Sequence, residues 1–136
     1  MFSLYYERRH NVIMTRLTGV LSSEDIEQHD RAVLLFLAGL FASERQVRGL
    51  YDFSQVEALA VPDSKITQRG QRPAIIDGFR VVVPPDSAAG LDFVRLIADQ
   101  LRAAGHREPV IANTLEEAYR LLGLDNPQFD QVSEAL

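Results

Sequence analysis

The side chains best placed to bind a ligand follow the predicted third, fourth and fifth strands, where each strand ends. They are Asp52, Ser54, Asp86, Ser87, Asn113 and Thr114. Open α/β sheets usually bind ligands beyond the carboxyl ends of their strands, and free backbone N–H groups at helix starts would add donors there. Short polar residues are also what loops and helix caps require, and we favour this interpretation. Asp86 would moreover repel an anion at one of these helix starts.

Residue types that carry catalysis or bind metals lack the patterns that these functions need. The three histidines, His10, His29 and His106, have neither a second histidine at helical spacing nor a cysteine partner, so we expect surface or boundary residues. The sequence contains no nucleophile elbow, phosphate-binding glycine loop, dinucleotide fingerprint or paired-carboxylate motif. No partner for proton transfer is identified for Asp52. The sequence therefore predicts no enzyme, no cofactor and no metal site.

The composition is that of one folded domain. The chain has 136 residues, of which 46% are hydrophobic and 24% charged, and this disfavours disordered and fibrous classes. It has no cysteine, which excludes thiol nucleophiles, redox dithiols and thiolate zinc sites. A formal net charge of −5 and scattered basic residues disfavour nucleic-acid binding. The longest apolar stretch, residues 32–42, is about half of a membrane helix, and the first residues lack a secretion signal, so we expect a soluble cytoplasmic protein.

Hydrophobic periodicity and turn signals place strands and helices along the chain. Ser22 and Asp25 have the spacing of a capping box, as have Thr114 and Glu117, so each pair should begin a helix. The second strand should end at residues 18–19, where a glycine interrupts it. The predicted strands are residues 2–7, 12–17, 47–53, 79–83 and 109–112, and the predicted helices are residues 23–42, 63–70, 88–104 and 115–122.

The order of these elements, β-β-α-β-(α)-β-α-β-α, predicts an α/β fold with a single mixed, mostly parallel sheet of four to five strands. Parallel strands need crossover connections, which place helices on the faces of the sheet. Asp86 or Ser87 should cap the helix that follows the fourth strand. We predict one domain over residues 1–124 and a weakly structured tail over residues 125–136, with a final helical turn.

Four segments of the chain carry a resemblance to a known family. In chain order they read GVLSSED at residues 19–25, GLYDFS at 49–54, VVVP at 81–84 and TLEEA at 114–118. This series resembles the STAS family (sulphate transporter and anti-sigma-factor antagonist), and more narrowly its SpoIIAA-like branch of small bacterial proteins, over residues 4–124. The resemblance implies the SpoIIAA-like fold and a regulatory module that binds a protein partner.

The resemblance also bears on control by phosphorylation. Antagonist-type members carry Asp-Ser-Ser/Thr-Gly at the start of the helix after the third strand, and a partner kinase phosphorylates the second hydroxyl residue, which adds charge at a packed surface. The nearest match here is Asp63-Ser64-Lys65-Ile66, in which Lys65 occupies the acceptor position and Ile66 replaces the glycine. We therefore expect no phospho-switch of this kind. Ser64 remains a candidate site, although a helix cap is its favoured role.

The first predicted helix leaves two roles open. Its apolar face includes four consecutive residues, 34–37, and is wider than one face of a sheet needs to bury. Such width predicts either a homodimer contact or a ligand pocket beneath the helix, and we favour the dimer. The leading hypothesis is a non-enzymatic regulatory or protein-interaction module with an unidentified protein partner.

The alternative hypothesis is a small-molecule or lipid-binding protein. It predicts a closed apolar cavity between the first helix, residues 54–78 and the sheet. The expected lining is Phe36, Leu40, Leu59, Val61 and Ile66. Proteins that resemble this family have been associated with apolar ligands and nucleotides.

Positive charge is concentrated between residues 65 and 80 of this acidic chain. It comes from Lys65, Arg69, Arg72 and Arg80. These residues would form a small basic patch for an acidic partner or a lipid headgroup, although such residues more often belong to a solvated loop. The third and least favoured hypothesis is an enzyme that acts at the strand carboxyl ends.

Overall fold

A computed structural model describes residues 1–40, 46–70, 75–76 and 78–132 of the chain. The elements within these residues are β1 (Phe2–Glu7), β2 (Val12–Ser22), α1 (Ser23–Gly39), β3 (Arg48–Ala60), α2 (Asp63–Gly70), β4 (Arg80–Val83), α3 (Ala88–Ala103), β5 (Val110–Ile111), α4 (Leu115–Leu121) and β6 (Asp130–Gln131). The strands form one six-stranded sheet in the order β5-β4-β3-β2-β1-β6, so the predicted α/β class is confirmed. No helix in the described ranges is long and apolar enough to cross a membrane.

The connections between parallel strands decide where the helices lie. β2, β3, β4 and β5 are parallel neighbours in chain order, so successive crossovers run in the same direction across the sheet. Because such crossovers are right-handed, α1, α2 and α3 all pack on one face. Phe93 and Val94 of α3 accordingly pack with Leu17 of β2. The other face receives α4, whose Ala118 packs with Leu50.

The predicted hairpin of β1 and β2 is confirmed, with antiparallel pairing from Phe2 opposite Leu17 to Glu7 opposite Val12. The predicted end of β2 at residues 18–19 is wrong. Gly19 has φ 73°, a left-handed conformation that glycine adopts without steric strain. The register with β3 shifts on either side of it, so the interruption is a bulge and the strand continues to Ser22.

β2 and β3 extend beyond their outer neighbours as a two-stranded ribbon. β1 begins at Phe2, opposite Leu17, and Met1 before it still exchanges backbone hydrogen bonds with Thr18. On the other side, β4 ends at Val83, opposite Asp52. Among the described residues, residues 19–22 of β2 then pair only with residues 56–60 of β3. We call these two segments the ribbon. The third strand is therefore longer than the predicted residues 47–53.

The tail adds a sixth strand to the sheet. Tyr5 and Tyr6 of β1 pair antiparallel with Gln131 and Asp130 of β6, and the Val132 N–H donates to the Leu4 carbonyl at 2.8 Å. The predicted final helical turn is wrong for the described part of the tail, because the edge of β1 offers free backbone groups that a strand can pair with. The domain boundary after residue 124 stays a prediction.

The helix boundaries follow local capping signals. The predicted capping box of α1 is confirmed, since Ser22 and Asp25 each bond the other's backbone N–H. α2 covers the predicted residues 63–70. α1 ends at Gly39, before the predicted residue 42, and residues 41–45 lie outside the described residues. Arg72 of the predicted basic patch also lies outside them.

Candidate functional site

The structure brings Asp52 and Ser54 together inside β3. Asp52 is only 2% exposed, and its Oδ1 accepts hydrogen bonds from the Ser54 N–H at 3.0 Å and the Ser54 hydroxyl at 2.6 Å. Its Oδ2 accepts from Nε of Arg16 at 3.2 Å. Both carboxylate oxygens are therefore engaged at the point where β3 separates from β4.

The other predicted strand-end residues lie at two separate helix starts. Ser87, not Asp86, caps α3, and its hydroxyl accepts from the Gly90 N–H at 3.0 Å. Thr114 caps α4 by accepting from the Glu117 N–H at 3.1 Å. The Glu117 carboxylate accepts from the Asn113 N–H at 3.1 Å, so this cap differs from a reciprocal box. Within the described residues the exposed Asp86 makes no hydrogen bond or ion pair.

Ser64 lies in the first turn of α2, so its predicted role as a helix cap is wrong. The helix begins at Asp63, and the Pro62 carbonyl accepts from the N–H groups of Lys65 and Ile66 at 3.0 and 3.3 Å. Ser64 is exposed, and its hydroxyl has no hydrogen-bond partner among the described residues. Whether it is a site of modification stays a prediction.

A pocket of about 480 Å³ lies between the sheet and α1, α2 and α3. Of the predicted lining, Val61 and Ile66 contact it. Phe36 packs instead against Tyr6, at a ring separation of 5.2 Å, because it points to the neighbouring cluster of core residues. Leu40 and Leu59 are also absent from the lining. The residues that line the pocket are Leu17, Ser23, Ile26, Glu27, His29, Asp30, Leu34, Tyr51, Phe53, Val61, Lys65, Ile66, Arg69, Ile75, Ile76, Arg80, Val82, Phe93, Val94, Ile97, Gln100, Leu101 and Pro109.

The pocket reaches the surface between α1 and α2. Glu27 and Leu34 of α1 and Lys65 of α2 are exposed and line it, so we call these three residues the pocket mouth. The lining below them is mainly apolar. Half-buried Tyr51 contributes a hydroxyl whose pKa is raised by its partial burial, so it is a neutral hydrogen-bonding group near neutral pH.

An ion pair connects two of the helices around the pocket. Nε of Arg69 donates to Oδ2 of Asp30 and Nη2 donates to Oδ1, both at 2.9 Å. Burial on its own would raise the pKa of Asp30, but hydrogen bonds from Arg69 and His29 outweigh it and hold the pKa well below its ordinary value. Asp30 is therefore a carboxylate throughout the neutral range.

His29 is buried, so its predicted surface or boundary position is wrong. Its Nε2 lies 2.8 Å from the Thr15 hydroxyl, its Nδ1 lies 3.1 Å from Asp30 Oδ1, and its ring packs edge-on against Phe2 and Tyr51. The sequence carried a signal for this position, because His29 falls on the inward stripe of α1 defined by Ile26 and Val33. His10 and His106 are half-buried.

The wide apolar face of α1 divides into a packed part and an exposed part. Phe36 and Leu37 pack against the buried cluster around Val33. Leu34 is 54% exposed at the pocket mouth, and Leu35, which projects about 100° away around the helix axis, is 51% exposed outside the pocket. Leu35 lines a groove that also includes the exposed side chains of Met1 and Val20. We call these three residues the outer groove.

Comparison with known proteins identifies the fold. No protein-family model and no curated protein matches the sequence. Among solved structures the chain is similar to the unphosphorylated form of the anti-sigma-factor antagonist SpoIIAA, with a TM-score of 0.55 and 17% identity over 91% of this chain and 100% of that one. At this identity the likeness is one of fold. It agrees with the resemblance seen in the sequence: the chain has a SpoIIAA-like fold.

Proposed function

We propose that the protein is a non-enzymatic regulatory module that acts by binding a partner protein. The fold supports this proposal, because the similar solved structure is that of an anti-sigma-factor antagonist. Catalysis is not part of the proposal: of the two carboxylates predicted near strand ends, Asp52 is buried and engaged by Arg16 and Ser54, and Asp86 lies apart from it at the start of α3.

The observation that carries the proposal is the outer groove. Single exposed apolar residues are common on proteins, but three of them lining one groove form a patch of the kind that partners cover. Met1, Val20 and Leu35 are 75%, 57% and 51% exposed. Arg31 lies beside them and has no ion-pair partner in the part of the chain that the structure describes. The groove therefore suits a protein surface with apolar side chains and an acidic group opposite Arg31.

Affinity capture from the native host with three forms of the full chain tests this proposal. Leu35→Asp should abolish recovery of a partner that the unaltered protein retains in stoichiometric amount, because it places a charge in the apolar contact. Leu121→Asp is the matched control, since Leu121 is 43% exposed on α4, on the other face of the sheet. The recovered partner is then purified and titrated against each form. Equal binding by the two variants would refute the proposal.

The same samples address the predicted homodimer. Light scattering on the purified chain gives its mass in solution. A dimer that Leu35→Asp dissociates would identify a second copy of the chain as the partner. A monomer would leave a different protein as the partner.

A second candidate function is the binding of a small apolar molecule, and the pocket favours it. A volume of about 480 Å³ lies within the range of roughly 300–1,000 Å³ typical of small-molecule sites. The pocket and the outer groove share no residue, so the two functions can be tested separately.

A further inference from the structure

Part of the floor and part of one wall of the pocket offer only hydrocarbon to a ligand. Leu17, Phe53 and Val82 form this part of the floor on the sheet, and Phe93 and Ile97 of α3 form this part of the wall. None of these side chains can donate or accept a hydrogen bond. A ligand that fills this part of the pocket gains free energy by removing apolar surface from water.

Two cations of α2 lie over this apolar region. Lys65 and Arg69 are four residues apart, so they project from the same face of the helix, and both line the pocket. The Lys65 ammonium has no hydrogen-bond or ion-pair partner within the described ranges of the chain. Arg69 uses Nε and Nη2 to bind Asp30, and its Nη1 donates to none of the residues described. Both side chains therefore retain donors for a ligand.

The balance of charge around the pocket favours an anion. Lys65, Arg69 and Arg80 are its cations, and Glu27 and Asp30 are its carboxylates. Asp30 and Arg69 form a pair without net charge, and Glu27 lies exposed at the pocket mouth, so Lys65 and Arg80 leave an excess of one positive charge. The local excess of cations is opposite in sign to the net charge of −5 of the whole chain. Asp30 also holds the Arg69 guanidinium in one orientation, which lowers the entropy lost when a ligand binds.

We infer that the pocket binds a single-chain amphiphile whose anionic head group lies at Lys65 and Arg69 and whose hydrocarbon chain lies on Leu17, Phe53 and Val82. This inference rests on the second candidate function, the binding of a small apolar molecule. Carboxylate and phosphate head groups share the required chemistry, since each presents oxygen atoms that accept from an ammonium and a guanidinium.

Calorimetric titration of the full chain with amphiphiles of equal chain length tests the inference. Dodecanoate and dodecyl phosphate are the anionic probes, dodecanol is the neutral probe, and all are used below their aggregation limits. We expect both anions to bind about ten-fold more tightly than dodecanol, because a hydrogen bond to a charged group is worth about that factor. The anion that binds more tightly identifies the preferred head group. Inorganic phosphate alone should not bind measurably.

Three variants assign the binding to the pocket. Lys65→Gln should lower the affinity for dodecanoate about five-fold or more and leave the affinity for dodecanol unchanged. Arg95→Gln is the matched control, because Arg95 is an exposed cation of α3 that does not line the pocket, and it should leave both affinities unchanged. Ile97→Trp should lower the affinity for both probes, because the larger side chain fills the space above the sheet. Thermal unfolding verifies that each variant is folded.

Each adverse result overturns a defined part of the inference. Equal affinities for dodecanol and dodecanoate would support an apolar ligand but refute the inference that the ligand has an anionic head group. Binding that Ile97→Trp leaves unchanged would locate the probes outside the pocket and refute the site. Absence of binding by all three amphiphiles would refute both the inference and the second candidate function. None of these results affects partner binding through Leu35.

Discussion

Asp30 and Arg69 join α1 to α2 through two parallel hydrogen bonds of 2.9 Å, although the residues lie 39 positions apart in the chain. A bidentate contact between a carboxylate and a guanidinium fixes direction as well as distance. The pair therefore sets the orientation of α2, and with it the position of Lys65, relative to α1.

Loss of the Asp30 charge should destabilise the fold. Asp30→Asn is expected to lower the free energy of unfolding by about 1–3 kcal/mol, because it leaves the partly buried Arg69 guanidinium without its carboxylate. Urea denaturation measures the change. Asp99→Asn is the matched control, since Asp99 pairs with Arg102 where both side chains are 61% exposed, and its effect should stay below about 0.5 kcal/mol. Equal losses in the two variants would contradict this account of the pair.

The stabilisation from Asp30 should depend on pH in the acidic range. Its pKa in the folded protein lies below the ordinary value of 3.8, so the unfolded chain binds the proton more readily than the folded one. The stabilisation is therefore fully present above the unfolded pKa and is lost as the pH falls through 3.8 towards the folded pKa. The difference in unfolding free energy between the unaltered protein and Asp30→Asn should shrink from about pH 5 to about pH 3. A difference that stays constant over this range would exclude the mechanism.

The Asp52 carboxylate should contribute to stability and not to ligand binding in the pocket. Asp52→Asn is expected to lower the free energy of unfolding by about 1–3 kcal/mol, because Arg16 and Ser54 lose a buried charged acceptor. Its effect on dodecanoate affinity should be nil, since side chains alternate along β3 and the adjacent Tyr51 and Phe53 face the pocket. Glu57→Gln, on an exposed position of the same strand, is the control. Loss of dodecanoate binding by folded Asp52→Asn would place Asp52 in the ligand site.

The start of α3 should not tolerate a side chain at Gly90. A Cβ atom there would lie 2.6 Å from Cβ and Cγ of Pro85, which is well inside contact distance. Gly90→Ala should therefore cost about 1–3 kcal/mol of unfolding free energy. Gly39→Ala offers the comparison, since no atom of the described residues lies within 4 Å of its added Cβ and alanine has the higher helix propensity. Both variants are measured by thermal unfolding, and a stable Gly90→Ala would show that Pro85 can move.

Local chemistry made part of the fold predictable. The capping box of Ser22 and Asp25 and the bounds of α2 depend on neighbours within a few residues, so the sequence was sufficient for them. The extension of β3 beyond Phe53 depends on pairing with β2, and its exposed polar residues resemble a loop. β6 likewise exists only through its pairing with β1.

The candidate site was less predictable than the fold. Val61 and Ile66 could be assigned to the pocket because they are apolar residues in the segment that covers the sheet. The contact of Asp30 with Arg69 crosses two helices and has no local pattern. The burial of His29 depends on how closely α1 approaches Thr15, which tertiary packing decides.

The ribbon should affect where β2 and β3 first unfold locally. Among the residues that the structure describes, each of its strands has a hydrogen-bonded neighbour on one side only, so its amides should exchange with deuterium sooner than those of residues 12–16 and 48–52 in the six-stranded part. Ser22 at the end of one strand leads directly into α1, and Ala60 at the end of the other is two residues from α2. The part of β2 and β3 that exchanges first is thus the part from which both helices of the pocket mouth begin.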